Sequence, residues 1–241
     1  GFGFLKNPPQ IEELKKIYQD DYHDYISDAD AQADAQKKFR LVKPFFSKTS
    51  RLLDYGCGLG HFLGLARKVS KLVYGYDIST SAAVKATKRF NVKVKSGEPN
   101  RQLFSKNTFD TVTCFDVIEH IPHFEETMKW FYFWLKPGGR LFITTPSLDS
   151  WDARLLKDRW YGFTRIPQHV IYFTKPSLRR ALTEAGFRVE NIQQWGFVRS
   201  VGYLTGQAWP NSGLKRLIDG SFLGGIELYL PMTDVLVRAR K

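Results

Sequence analysis

The run Leu52-Leu53-Asp54-Tyr55-Gly56-Cys57-Gly58-Leu59-Gly60-His61-Phe62 sets three glycines at alternate positions behind an apolar stretch. Without a Cβ at those positions, a ligand is able to lie against the backbone. A helix beginning just beyond would turn its first N–H groups toward a carboxylate or phosphate. The spacing is Gly-x-Gly-x-Gly with Asp54 two positions ahead, not the Gly-x-Gly-x-x-Gly of the dinucleotide fingerprint. Asp77 closes the apolar run Leu72–Tyr76. An acidic side chain there either accepts hydrogen bonds from ribose hydroxyls or caps the helix that starts near Ser79. These are parts of a site for a nucleoside-bearing ligand; a tight strand-to-helix turn with no ligand is the plainer alternative.

Two further segments end apolar runs in polar groups. Phe109-Asp110-Thr111-Val112-Thr113-Cys114-Phe115-Asp116-Val117-Ile118-Glu119-His120 closes on a carboxylate and imidazole cluster, with His123 shortly after. Asp116, Glu119, His120 and His123 are residue types that ligate divalent ions, yet the same Glu-His pair serves equally to order a helix start, and no metal ligand is assigned. Ile166-Pro167-Gln168-His169-Val170-Ile171-Tyr172-Phe173-Thr174 carries one histidine beyond the fifth strand, where a second substrate should enter. His169 is the candidate general base, with a structural bond to a loop carbonyl as its alternative role.

The elements that must position these groups follow from periodicity and punctuation. Helices are expected from Pro9 to about Tyr25 and from about Asp30 to Val42, the second stopped by Pro44. Strands Arg51–Tyr55, Leu72–Tyr76, Val92–Lys95, Phe109–Phe115 and Arg140–Thr145 then alternate with helices to about Val69, over Ser79–Phe90 and over about Phe124–Leu135. Pro137-Gly138-Gly139 makes the turn into the fifth of these strands, and its residues serve backbone geometry. A long irregular stretch from Pro146 to Thr174 is expected to be functional. A helix over Pro176–Ala185, a strand over Phe187–Trp195 and a last strand over Thr233–Ala239 complete the chain. Such a succession implies a mostly parallel sheet with helices on both faces. In the aromatic helix, Trp130, Phe133 and Trp134 are expected on the core face and Phe131 off it; Trp151, Trp160, Tyr161 and Phe163 are expected to line a pocket.

The 241 residues suit one α/β domain, with 43% hydrophobic, 15% aromatic and 25% charged residues, enough for a substantial core. Only Cys57 and Cys114 occur, neither placed as half of a disulfide, which favours a reducing compartment. With no signal peptide and no spanning apolar stretch, a cytoplasmic protein is the expectation. The chain begins with Gly1, which suggests that a native N-terminus is missing. Net charge is +12, but the basic residues are scattered and no nucleic-acid motif occurs, so solvated helix faces are the reading and nucleic acid is not an expected partner. Residues 214–231 combine basic and apolar side chains, where weak contact with a membrane surface is an alternative to simple packing.

The motifs LLDYGCGLGHF, Asp77, FDVIEHI and LKPGGRLFITTP resemble, in order, those of the class I S-adenosylmethionine-dependent methyltransferases. The branch they most resemble includes ubiquinone-biosynthesis O-methyltransferases and enzymes of polysaccharide and natural-product pathways. The resemblance runs from about residue 50 to 187. It implies a Rossmann-like sheet of seven strands, mostly parallel with the last antiparallel, and S-adenosylmethionine as cofactor, leaving S-adenosylhomocysteine as product. It places Asp54, Gly56, Cys57, Gly58 and Gly60 along the methionine portion, Asp77 on the ribose hydroxyls and Ile78 on the adenine. Glu98 would meet the adenine amino group, although relatives often have Gly-Asp where this chain has Gly97-Glu98 followed by Pro99. Phe115 and Asp116 would stand beside the cofactor.

A single domain over 1–241 is expected, with a helical lid over 1–48, a cofactor-binding core over 49–145, and an acceptor-side loop and insertion over 146–175 and 200–231. Because the thioether leaves readily, placing the nucleophile supplies much of the catalysis, and a base is needed only for a hydroxyl or protonated amine. The expected reaction is methyl transfer to a small-molecule or saccharide-type acceptor, at oxygen. The rivals are a non-catalytic cofactor-binding protein of the same fold, an RNA methyltransferase, and an NAD-dependent oxidoreductase, the last disfavoured by the glycine spacing. Oligomeric state is not legible.

Overall fold

The computed structural model describes residues 2–5, 9, 13, 27–160, 162–163, 166–201, 217–218 and 221–241. The helix expected from Pro9 to about Tyr25 lies almost entirely outside them, as does most of 200–231. Nine strands are described: β1 (Gly3–Phe4), β2 (Leu52–Tyr55), β3 (Val73–Asp77), β4 (Lys93–Ser96), β5 (Phe109–Phe115), β6 (Leu135–Pro146), β7 (Ile171–Tyr172), β8 (Arg188–Ser200) and β9 (Glu227–Arg240). Between them run α1 (Asp28–Val42), α2 (His61–Arg67), α3 (Thr80–Phe90), α4 (Phe124–Trp134), α5 (Trp151–Leu156) and α6 (Lys175–Glu184).

Seven strands make one sheet in the order β4-β3-β2-β5-β6-β9-β8. The pairs β3–β4, β2–β3, β2–β5 and β5–β6 are parallel, and β9 runs antiparallel between β6 and β8. The expected Rossmann-like architecture, last strand included, is the observed one. The order reverses where β2 lies between β3 and β5, which puts the glycine turn after β2 at the switch point where such sheets bind ligands.

Alternation along the strands sends neighbouring side chains to opposite layers. Leu53, Cys114, Leu141 and Ile143 join α4 and α6 in one core, while Leu52, Phe115 and Phe142 join α1 and α2 in the other. The helix ends are set by local chemistry. Ser27 and Ser79 accept from the N–H groups of Asp30 and Ala82 to start α1 and α3, and Thr174 and Ser177 form a reciprocal capping box before α6. In α4, Phe124, Met128, Phe131 and Trp134 are the buried aromatic and apolar positions, and Trp130 and Phe133 are only partly covered. This corrects the expected face: Phe124 and Met128 at the start of the helix set its phase, and Phe131 follows them at the i+7 and i+3 positions.

The stretch after Pro146 is more ordered than expected. It forms α5, and β7 pairs antiparallel with β1. The buried Asp152 carboxylate holds it to the sheet by accepting from Trp160 Nε1 at 2.9 Å, from Thr233 N at 2.9 Å and from Thr233 Oγ1 at 2.6 Å. Trp160 is fully buried against Ala153 and Tyr172, so it packs this excursion and does not line a pocket; Trp151 is exposed and Tyr161 lies outside the described residues. Strands β8 and β9 also run longer than expected, because Phe197–Ser200 continue the ladder against Glu227–Leu230. Among the described residues no helix is long and apolar enough to cross a membrane.

Asp152→Ala would strand the Trp160 and Thr233 donors. We expect a loss of about 2–4 kcal/mol of unfolding free energy, read from the urea midpoint; an unchanged midpoint would show that the carboxylate is not what fastens the excursion.

Candidate active site

The turn between β2 and α2 is shaped by left-handed backbone. Gly56 has φ +77° and Gly60 φ +81°, conformations that disfavour any side chain. A Cβ at Gly56 would lie 2.2 Å from a Val117 methyl, and one at Gly60 2.9 Å from Ala86 Cβ. Asp77 fastens this turn to the end of β3: its Oδ2 accepts from Gly58 N at 2.7 Å and its Oδ1 from Ser79 N at 2.9 Å. The alternatives weighed from the sequence were a ribose acceptor or a cap. Ser79 itself caps α3 with its hydroxyl, and Asp77 braces the loops on either side.

A cavity of about 340 Å³ opens at this sheet edge. Of the ten residues expected around a cofactor, Gly56, Asp77, Ile78, Glu98 and Asp116 are on its wall. Asp54, Cys57, Gly58, Gly60 and Phe115 are not; Phe115 instead packs edge-on against Phe62, centroids 5.3 Å apart. The wall also includes Tyr55, Val117, His120, His123, Glu126 and Trp130, so one cavity reaches from Asp77 to α4.

Burial sets the electrostatics. Asp54 is 4% exposed, and desolvation pushes its pKa up to about 7 against a 2.7 Å hydrogen bond from Thr113 Oγ1 and the charge of Lys38. Desolvation likewise raises Asp77, opposed by its two backbone donors. Asp116 is a non-glycine residue with φ +56°, and Thr144 Oγ1 donates to its Oδ1 at 2.6 Å. Its Oδ2 takes the Lys38 ammonium from α1. Burial weakens that ammonium, but Asp116 and Asp34 more than restore it, and the Lys38 pKa lies above the ordinary lysine value. Lys38 was missed by sequence reasoning: it is one of several cations on a polar helix, and only the fold aims it at the fourth-strand carboxylate.

His169 does not reach the cavity wall. It is 5% exposed, and Nδ1 donates to the Gly162 carbonyl at 2.9 Å. Its ring packs edge-on against His120, centroids 4.7 Å apart. His120, which does line the cavity, directs Nδ1 to the Gln168 carbonyl at 2.9 Å. Backbone bonding from Val170 N to the Glu119 carbonyl at 2.9 Å brings the two segments together. Glu119 is buried with Thr145 Oγ1 donating to Oε2 at 3.0 Å, and desolvation raises its carboxyl well above the ordinary range.

Comparison with known proteins adds three findings. Residues 25–192 match the methyltransferase-domain family. Phosphoethanolamine N-methyltransferase 2 of Caenorhabditis elegans is 32% identical over 120 residues, 45% of this chain and 27% of that protein. Ubiquinone biosynthesis O-methyltransferase of Coxiella burnetii is 29% identical over 103 residues, 41% of this chain and 44% of the relative. The aligned parts thus span about a quarter to under half of these relatives. Among solved structures, an S-adenosylmethionine-dependent methyltransferase of Archaeoglobus fulgidus is similar with a TM-score of 0.61 at 21% identity, covering 87% of this chain and 94% of the other; at that identity the likeness shows the fold.

A carboxyl raised on folding favours the folded state at low pH and withdraws that support as pH rises through the folded pKa. For Asp54 the window runs from about 4 to about 7. Asp54→Asn should therefore gain on the wild type by up to about 4 kcal/mol between pH 4 and pH 8, measured by denaturant unfolding at both pH values; parallel pH profiles would remove the desolvated carboxyl from the account.

Proposed function

The chain belongs to the methyltransferase-domain family, and from that premise we propose that it transfers a methyl group from S-adenosylmethionine to a small hydroxylated acceptor. The observation that carries this reading is one cavity bordered at one end by Asp77 and Ile78 and at the other by His120 and α4. The residues present fit the cofactor. The Gly56 position leaves no room for a side chain, and two buried carboxyls, Asp54 and Asp77, stand at the strand ends with raised pKa values that a cationic ligand would relieve. When bound, S-adenosylmethionine supplies a sulfonium methyl open to nucleophilic attack.

What the chain contributes is placement. Asp77, already oriented by Gly58 and Ser79, is the acceptor for ribose hydroxyls. Ile78 is the apolar surface for the adenine, and Glu98 on the same wall is the partner for its amino group. Asp54 in β2 and Gly56, Cys57, Gly58 and Gly60 in the turn after it lie beside the methionine portion. Asp116 closes the site from the end of β5, where Lys38 fixes its carboxylate. Trp130 offers an aromatic face, with Glu126 and His123 beside it, on which a sugar or phenol ring can pack. The relatives are named for transfer at nitrogen and at oxygen; oxygen is the atom proposed here. A hydroxyl must lose its proton as the bond forms, and His120, with His169 behind it, is placed to receive it.

Calorimetric titration should show S-adenosylmethionine and S-adenosylhomocysteine binding and NAD not binding. Asp77→Asn, which leaves one carbonyl oxygen to the turn, should weaken both adenosyl ligands about ten- to a hundredfold; unchanged affinity would end the ribose assignment. With sugars and phenols screened as acceptors, His169→Ala should lower turnover about a hundredfold or more at unchanged cofactor affinity. Full activity would take His169 out of the reaction.

A further inference from the structure

We propose that Glu119, His120 and His169 form a binding site for one first-row divalent cation of the zinc type. One ligand atom from each of the three lies within 4.8 Å of the others, the only such gathering of histidine, cysteine and carboxylate groups among the described residues. It includes neither Asp116, which is engaged by Lys38 and Thr144, nor His123. The set pointed to by the local motif is therefore not the one the fold assembles.

Three observations favour a cation there. First, both histidines direct Nδ1 at a backbone carbonyl, Gln168 for His120 and Gly162 for His169, each at 2.9 Å. A carbonyl only accepts, so each Nδ1 carries the hydrogen, and Nε2 is the acceptor nitrogen of the neutral ring. Fixing the ring through its other nitrogen in this way is the usual support of a metal-binding histidine. Second, Glu119 is 2% exposed, and Thr145 orients one of its oxygens at 3.0 Å while the other is 4.0 Å from His120 Nε2. A buried carboxylate beside two imidazoles is stabilised by positive charge among them, which a divalent ion supplies. Third, two imidazoles and one carboxylate are the three-ligand pattern of open zinc sites and of related first-row ions, and suit magnesium or calcium poorly. Ligand bonds of about 2.1 Å in a tetrahedral arrangement put ligand atoms roughly 3.4 Å apart, so the side chains must draw in by about 1 Å.

The binding site stands on its own geometry. Its use in the reaction rests on the methyl-transfer reading: His120 lines the proposed acceptor cavity, so the ion would adjoin an acceptor hydroxyl and favour its ionised form. The two histidines would then act as ligands, not as the base.

The test is titration of chelator-treated protein with Zn2+ against a chromophoric competitor, and with Co2+ followed by visible absorption. One equivalent should bind, with Co2+ bands of a low-coordinate site. His169→Ala, His120→Ala and Glu119→Gln should each weaken Zn2+ about a hundredfold or more, while Asp116→Asn and His123→Ala leave it unchanged. Circular dichroism and S-adenosylmethionine affinity of every variant identify any that fail to fold. In the wild-type protein, no stoichiometric Zn2+ binding would overturn the site, as would binding that survives His169→Ala. Zinc binding without S-adenosylmethionine binding would leave the site standing and remove the function proposed above; the reverse result would leave the histidines as a base.

Discussion

The carboxylate of Asp77 ties the turn after β2 to the turn after β3 by accepting from Gly58 N and Ser79 N. Without that brace, the left-handed glycines would leave the loop with many conformations, since glycine is the residue with most freedom to lose. Burial opposes ionisation and the brace partly offsets it: desolvation raises the Asp77 carboxyl against its two backbone donors, and the neighbouring Asp54 is raised as well. A ligand bearing hydroxyls would find the Asp77 carboxylate already oriented. The cavity wall, the helix start at His61 and the close approach of Val117 to Gly56 all depend on this turn holding its shape.

On the other side of the cavity, order comes from contacts between distant segments. The Val170 N to Glu119 carbonyl bond and the His120 to Gln168 bond hold the loop before β7 against the turn after β5. Asp152 then fastens α5 and Trp160 to Thr233 within β9. Lys38 performs the same service for α1, crossing to Asp116. Each tie is a charged or polar group; Asp152 is buried, where an unmet partner is costly, while the Asp116 side chain is 46% exposed. The acceptor end is therefore built from polar ties laid over an apolar sheet.

The sheet was legible because its strands are short buried runs bounded by glycine, proline and acidic residues. Phe109–Phe115 coincides with its expected span, β2 differs from its own by one residue at one end, and β3 and β4 by one residue at each end. The ends of β8 and β9 were not legible, since Phe197–Ser200 are strand only because Glu227–Leu230 lie beside them. The α4 face differs from the expected one because the five consecutive aromatic residues Trp130–Trp134 satisfy more than one helical phase, and the sheet chooses by accepting Phe124 and Met128. The stretch after Pro146 looked irregular because its partners are far along the chain.

From the sequence alone came the fold class and the glycine turn with its acidic neighbours, because each rests on local periodicity or on residues a few positions apart. Which of those residues face one cavity was decided by the tertiary structure: Phe115 and His169 turn away from the wall and His120 turns to it. The meeting of His120 with His169, and of Lys38 with Asp116, was likewise decided only there. The reason is physical: such contacts are made by backbone and packing between segments far apart in the chain, and nothing in either segment's local pattern encodes the distance to the other.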